Sequence, residues 1–389
     1  IIKPIKKYGF TEGIKILRIK LVNLYIYNKK SLPFLNSNTK LAQKVIKSGW
    51  LTQGKITSEF ETKLSEYLSS NVIAVNSGSS ALMCALLAHG LKPGDKVLVP
   101  DFTFFATYSA PKMLGANVIV SDIDESTLNI TPENVEKIVK NNNIKMVIVV
   151  DVAGLPVDID AFYELSRRYK FTLIEDAAEA FGSEYKNKRI GSFDHTSVFS
   201  FHIAKQITTI EGGCVSSNDK KIIKKVSQIR DQGRSTSGEY VHNIIGSNFR
   251  TTDLQSTIGI QQLKKIDDFL KNRINIADEY KKNIKGLSFQ HIPNYVTKHS
   301  YMMFFVLAEN QETRDKYLKS LKTNKIDARL SWLPLHNQPA NSESNMNNLP
   351  ISNKIYNNSF TLPIYNSMTS DEINSVLDIC QNQIDHNDL

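Results

Sequence analysis

Cysteine is scarce in this chain, and nothing in its placement would put it to use. Cys84, Cys214 and Cys380 are far apart and odd in number, with no CxxC and no Cys/His cluster. This argues against a disulfide framework, a structural zinc site and an iron–sulfur cluster. No metal is expected, and a reducing compartment, the cytoplasm, fits. No apolar run reaches the ~20 residues that span a bilayer. No G-x-G-x-x-G follows an early strand, so the fingerprint of a nicotinamide-binding enzyme is missing. No internal repeat is found. Acidic residues are almost absent from the first thirty positions. There Lys3, Lys6, Lys7, Lys15, Arg18, Lys20, Lys29 and Lys30 face only Glu12, which places +7 of the net +9 in an N-terminal arm and leaves +2 for the rest. A nucleic-acid groove across the body is therefore not expected. The arm mixes its cations with Ile and Leu (I-K-I-L-R-I-K-L-V-N-L) and carries no small-residue cleavage site of a secretory signal. It reads as a peripheral helix on the body, with contact to a membrane surface or a partner as the alternative.

What is present is the pattern of a large domain and a smaller one, within the reach of 389 residues. From 38 to 265, apolar runs alternate with helical segments. The runs are Val97–Val99, Asn117–Val120, Met146–Val150 and Thr172–Ile174; Ala81–His89 and Ile159–Tyr169 read as helices between them. This predicts an α/β domain with a mainly parallel sheet, whose strand ends carry ligands. From 266 to 389 a smaller α+β domain is expected. It holds a strand over Ser300–Val306, a helix over Arg314–Lys322, a loop over 337–353 and a helix after the Thr369-Ser370-Asp371-Glu372 cap signal. Residues 1–37 form the arm, and no long flexible linker separates the two domains.

Four short segments carry chemistry. Residues 200–213 read S-F-H-I-A-K-Q-I-T-T-I-E-G-G. A single cation, Lys205, follows the apolar run Val198–Phe201, which reads as a buried strand. A buried lysine is costly unless paired or neutral, and imine formation with an aldehyde is the chemistry that uses one. Asn76-Ser77-Gly78-Ser79-Ser80 is a Gly/Ser turn opening a helix, a phosphate site or an ordinary Ser-rich cap. Aromatic residues around Phe104 are stackers for a flat ring or core. Asp176 ends an apolar strand, where a carboxylate can pair with a protonated ring nitrogen, ligate a metal or cap a helix. Together the four meet the needs of pyridoxal phosphate (PLP): a phosphate cradle, a ring stacker, a carboxylate for the pyridinium and a lysine for the aldehyde.

The sequence from about Ser31 onward resembles the DegT/DnrJ/StrS family of PLP-dependent sugar aminotransferases. The resemblance rests on S-G-W-L-T-Q-G (48–54), N-S-G-S-S-A-L (76–82), K-P-G-D-K-V-L-V-P (92–100), A-G-L-P-V-D-I-D (153–160), E-D-A-A-E-A-F-G (175–182), the Lys205 segment, G-S-N-F-R (246–250) and L-P-L-H-N-Q-P-A (333–340). It implies the fold-type I architecture, an imine on Lys205, Asp176 on the pyridine nitrogen and Phe104 on the ring. It implies Ser79 and Ser200 on the phosphate, near the backbone of Gly78 and Ser80. Asn248 matches an asparagine that reaches the phosphate of the neighbouring subunit, which implies a homodimer with shared sites. His336 falls in a loop near the family's site, as a substrate contact or a packing residue. Glu179 stands where many members have Gln on the cofactor's ring oxygen; perosamine-synthase-like members have Glu there. Ile210 replaces a usual Gly, and Asp151 a frequent His. The implied substrates are L-glutamate, leaving as 2-oxoglutarate, and a nucleotide-linked keto-sugar. Lys205-Gln206-Ile207-Thr208-Thr209, Glu179 and Phe181 resemble members that aminate C4 of a 4-keto-6-deoxyhexose. Amination at C3 or of a cyclic ketone, and a non-catalytic PLP-binding regulator, are the alternatives. The related dehydratases carry histidine in place of the lysine, which Lys205 argues against.

Overall fold

The computed structural model describes residues 39–236, 239–341 and 349–385; the arm expected over 1–37 lies outside them. In chain order the strands are β1 (Asn71–Val75), β2 (Lys96–Pro100), β3 (Asn117–Ser121), β4 (Met146–Val150), β5 (Thr172–Asp176), β6 (Glu184–Tyr185), β7 (Lys188–Arg189), β8 (Thr196–Ser200) and β9 (Gly213–Ser217), then β10 (Ser288–Phe289), β11 (Val296–Lys298), β12 (Phe304–Leu307), β13 (Arg329–Leu330) and β14 (Ser359–Leu362). Seven of them make the central sheet, in the order β1-β9-β8-β5-β4-β2-β3. The five from β8 to β3 are parallel, and β9 runs antiparallel to both β8 and β1. β1 therefore points the same way as β8.

The sequence of β4, M-V-I-V-V, is buried throughout, because the sheet is covered on both faces. Successive residues alternate between two cores. Val147, Val149, Leu173 and Phe199 pack with Phe60, Leu64, Phe162 and Phe181 on one side. Ile148, Ile174, Val198 and Val215 pack with Ala81, Leu82, Ala85 and Leu86 on the other. The result is a three-layer α/β sandwich, as the alternation of apolar runs predicts.

The smaller unit is a four-stranded antiparallel sheet, β10-β12-β14-β13, backed by the helices Gln311–Thr323 and Ser370–Asp385. Thr369 and Glu372 form the expected reciprocal cap of the last helix. Two expectations are corrected. The strand predicted over Ser300–Val306 is confined to Phe304–Leu307, because Ser300 Oγ is drawn to the Glu179 carbonyl and Tyr301 adopts a positive φ of 45°. The loop predicted over 337–353 contains the start of a helix, Pro350–Asn358, with proline in its first turn. The helix Ile266–Asn283 spans both cores. Phe269 and Leu270 lie in the large one, Ile276, Ala277 and Tyr280 in the small one. A further cluster joins the units: Phe102, Ile123, Val150 and Val152 pack against Phe305 and Ile355.

Candidate active site

The parallel arrangement delivers the polar ends of several strands to one edge. Asp101 follows β2, Asp151 follows β4, Asp176 ends β5 and Ser200 ends β8. β1, pointing the same way, delivers Asn76-Ser77-Gly78 to that edge. Four of the sequence-derived segments thus meet at the carboxyl ends of the strands, where open α/β sheets bind ligands.

The Ser-rich turn divides its labour. Ser77 caps the helix Gly78–Ala88 by accepting from the Ser80 N–H at 3.1 Å. The Ser80 hydroxyl is consumed locally, donating to Asn76 Oδ1 at 2.6 Å. Ser79 is exposed at the head of the helix, beside backbone N–H groups that a first helical turn leaves unpaired. Ser200 closes the other side. A Cβ on Gly78 would sit 2.9 Å from Ser200 Cβ, so only glycine lets the helix start approach β8 this closely. Two hydroxyls and free amides around a helix N-terminus suit a phosphate group.

Asp176 is almost fully buried at the end of β5. Its carboxylate accepts from Thr107 Oγ1 at 2.7 Å and from the Ala178 N–H at 3.2 Å. Burial raises its pKa; Thr107, Ala178 and nearby Lys205 oppose the shift. Of the aromatic run, Phe102 is core, whereas Phe104 is 61 % exposed and free to cover a flat ring.

Lys205 sits in the turn after β8. Its side chain is 13 % exposed, and its ammonium donates to Glu179 Oε1 at 3.2 Å. It is therefore mostly buried and paired. The other Glu179 oxygen accepts from the Ala153 N–H at 2.9 Å. The Glu179 carbonyl accepts from Gln206 Nε2 and, at 3.1 Å, from Ser300 Oγ. The residue after the lysine thus anchors the lysine's partner. Thr107 and Ser300 were not among the sequence-derived candidates, and Gln206 was read only as part of the Lys205 segment: a side chain whose partner lies on another segment gives no signal of that partner before folding.

Asn248 is exposed, and its carbonyl accepts from Asn76 Nδ2 at 3.4 Å. His336 is bound to Asp101: its N–H donates to Asp101 Oδ1 at 2.9 Å, and its Nδ1 lies 2.6 Å from Oδ2. This contact fastens the segment after β13 to the end of β2. Ile210 has φ +75°, the left-handed region that glycine enters freely and a β-branched residue does not. That geometry is a physical reason for a glycine there. Asp151 is wholly buried beside Glu175.

These residues fit PLP. The cradle at Gly78, Ser79 and Ser200 suits its phosphate, the buried Asp176 carboxylate a protonated ring nitrogen, the open Phe104 a ring face, and Lys205 its aldehyde. The sequence profile of the DegT/DnrJ/EryC1/StrS aminotransferase family matches residues 35–381. The chain is 35 % identical over 328 residues to GDP-perosamine synthase of Escherichia coli O157:H7, covering 84 % of this chain and 90 % of that one. Among solved structures, S. venezuelae DesV in complex with a ketimine intermediate superposes with a TM-score of 0.86 at 26 % identity, covering 91 % and 96 % of the two chains. Spr1654 of Streptococcus pneumoniae in its PLP form gives 0.84 at 25 % identity, covering 91 % and 97 %. With its strand-end site, its fold and these similarities, the chain belongs to the DegT/DnrJ/EryC1/StrS aminotransferase family and is a PLP-dependent aminotransferase of fold type I.

Proposed function

We propose that the protein moves the amino group of L-glutamate to a nucleotide-linked keto-sugar, at C4 of a 4-keto-6-deoxyhexose. The observation that carries this reading is the Lys205–Glu179 pair at the strand-end site. A lysine whose partner is a carboxylate can lose and regain a proton in place. The similarity to GDP-perosamine synthase supports the sugar substrate, and Glu179 supports the same subclass.

Each residue has a distinct task. Ser79 and Ser200, with the Gly78 and Ser80 backbone, would hold the phosphate; Asp176 would keep a proton on the ring nitrogen; Phe104 would cover one ring face. PLP, when bound, supplies an electron sink that lets an amino-acid α-proton leave. Lys205 Nζ would hold the aldehyde and, as a free amine, would take and return that proton as the general base. Glu179 Oε1 accepts from Nζ and fixes its direction. Thr107 orients Asp176 through the 2.7 Å hydrogen bond. A second copy of the chain completes the site through Asn248. The exposed Trp50, Tyr240 and Ile245, 60 %, 90 % and 90 % accessible in one copy, support such an interface.

The test is the visible spectrum of the PLP-loaded protein. The absorption of PLP joined to Lys205 should form, be bleached by L-glutamate, and return on adding a nucleotide-linked 4-keto-6-deoxyhexose. Lys205→Ala should bind PLP without that absorption and lose turnover. Full activity in Lys205→Ala, or no bleaching by glutamate, would sink the proposal.

A further inference from the structure

β4 and β5 end side by side, with Val149 opposite Glu175 and Val150 opposite Asp176. There Asp151 and Glu175 are both fully buried and close enough that the Glu175 charge pushes the Asp151 carboxyl up. Asp151 Oδ1 accepts from the Val157 N–H at 3.1 Å. Glu175 Oε2 accepts from Ser197 Oγ at 2.6 Å and lies 3.1 Å from His195 Nε2, though not in hydrogen-bonding alignment. The remaining oxygens, Asp151 Oδ2 and Glu175 Oε1, are buried with no N–H or O–H donor.

A single proton between them would satisfy both. The alternative, two negative charges without solvent, would need a nearby cation. His195 Nε2 makes no hydrogen bond to either carboxyl group. Tyr163 Oη already accepts from the Asp194 and His195 N–H groups at 2.9 and 3.3 Å, so its own hydrogen is left for His195 Nδ1, 2.8 Å away. Nor do these side chains form a metal-ligating group among the described residues.

The geometry points to an acid–carboxylate pair: Asp151 and Glu175 share one proton at neutral pH, and the pair positions the turn that holds Glu179 against Lys205. Asp151 N–H donates to the Asp176 carbonyl at 3.3 Å, and its Oδ1 braces Val157. Between these points Ala153 and Gly154 take φ of +60° and +96°. That backbone aims the Ala153 N–H at Glu179 Oε2. Asp151 is thus a positioning residue, acting on the lysine through Glu179. Burial first, then Glu175 and Asp176, push the Asp151 carboxyl well above the ordinary range. The titratable groups around the pair are Asp176 on β5, His195 at the entry to β8, Tyr163 on the helix Ile159–Tyr169, and Tyr295 before β11. The shared proton is a property of the folded chain and does not depend on the transamination proposed above; the effect on turnover does.

The test compares the full chain with Asp151→Asn, Asp151→Ala and Glu175→Gln. Infrared spectra in neutral buffer should show the C=O stretch of a buried protonated carboxyl group, partly lost in both amide variants. Asp151→Asn keeps a neutral donor to Glu175, so it should retain turnover within about threefold, whereas Asp151→Ala should lose about tenfold or more. From mildly acidic to mildly alkaline buffer, the thermal midpoint of the wild type should fall relative to that of Asp151→Asn, because only the wild type must hold a proton on folding. An unchanged infrared band in the amide variants would overturn the shared proton. Equal losses of turnover in Asn and Ala would overturn the positioning role. Should one amide variant fail to fold, the other carries the infrared test, which needs neither cofactor nor turnover.

Discussion

At the scale of one residue, the role proposed for Asp176 comes at the expense of stability. Burial holds its carboxyl above the ordinary range, so the folded chain keeps a proton that the unfolded chain releases. Its contribution is full in acid, below the ordinary carboxylate range, and is lost as pH rises through the raised value. Asp176→Asn should therefore stabilise the cofactor-free protein in neutral buffer by about 0.5–2 kcal/mol, with the gain shrinking in acid. The same variant should lose about 10²-fold or more in turnover, since a neutral amide cannot hold the pyridinium proton. Thermal melts at several pH values and steady-state kinetics check the two halves. Ile210 makes the opposite case. Its positive φ costs about 1–2 kcal/mol, so Ile210→Gly should raise the thermal midpoint modestly. A fall would mean that the exposed Ile210 side chain makes a contact worth more than the strain. Lys205, Asp176 and the Ser-rich turn were legible in the sequence, because each sits at the end of an apolar run. The contacts of Thr107, Gln206 and Ser300 were not, because each reaches its partner across the fold.

Among the elements, two helices are capped in different ways. The helix Gly78–Ala88 carries its own cap, Ser77, adjacent in sequence. Ser77→Ala should cost about 1 kcal/mol and loosen the phosphate cradle, read as weaker PLP binding. The helix Lys55–Leu68 begins at Gly54, which has no side chain to offer. Its free N–H groups are met from far along the chain: Asp253 Oδ1 accepts from Gly54 and Thr57 at 2.8 and 2.9 Å, and Oδ2 from Ile56 at 3.2 Å. Asp253 also heads its own helix, Asp253–Leu263. Asp253→Ala should therefore destabilise by about 3 kcal/mol, well beyond a local cap, as a chemical-denaturation midpoint would show.

In the whole molecule, the two units meet through Phe102, whose ring lies 5.8 Å from that of Phe305 and 5.5 Å from that of Trp332. Phe102→Ala should cost about 3–5 kcal/mol. It should also displace the His336–Asp101 contact nearby, so a rise in KM is expected alongside the lower midpoint. The proposed shared site requires a particle of twice the chain mass by light scattering. Asn248→Ala should weaken PLP binding without changing that mass. A monomer with full activity would refute the sharing.

By itself the sequence determined the layers and the sheet edge at which the candidate site lies. Apolar runs such as M-V-I-V-V can be buried on both faces only in a covered parallel sheet, and polar residues at their ends must then gather at one edge. Three cysteines with no shared spacing likewise end up apart, each buried in a different core. Only the tertiary structure decided which polar groups meet. Asp253 finds the head of another helix, Glu179 finds both Lys205 and the Ala153 amide, and Asp151 is brought against Glu175. Strand order and the left-handed turn at Ala153–Gly154 set the last two of these pairings. The physical reason is range: periodicity and capping are local and visible in a single segment, whereas hydrogen bonds and buried charges are settled between segments that only the folded chain places in contact.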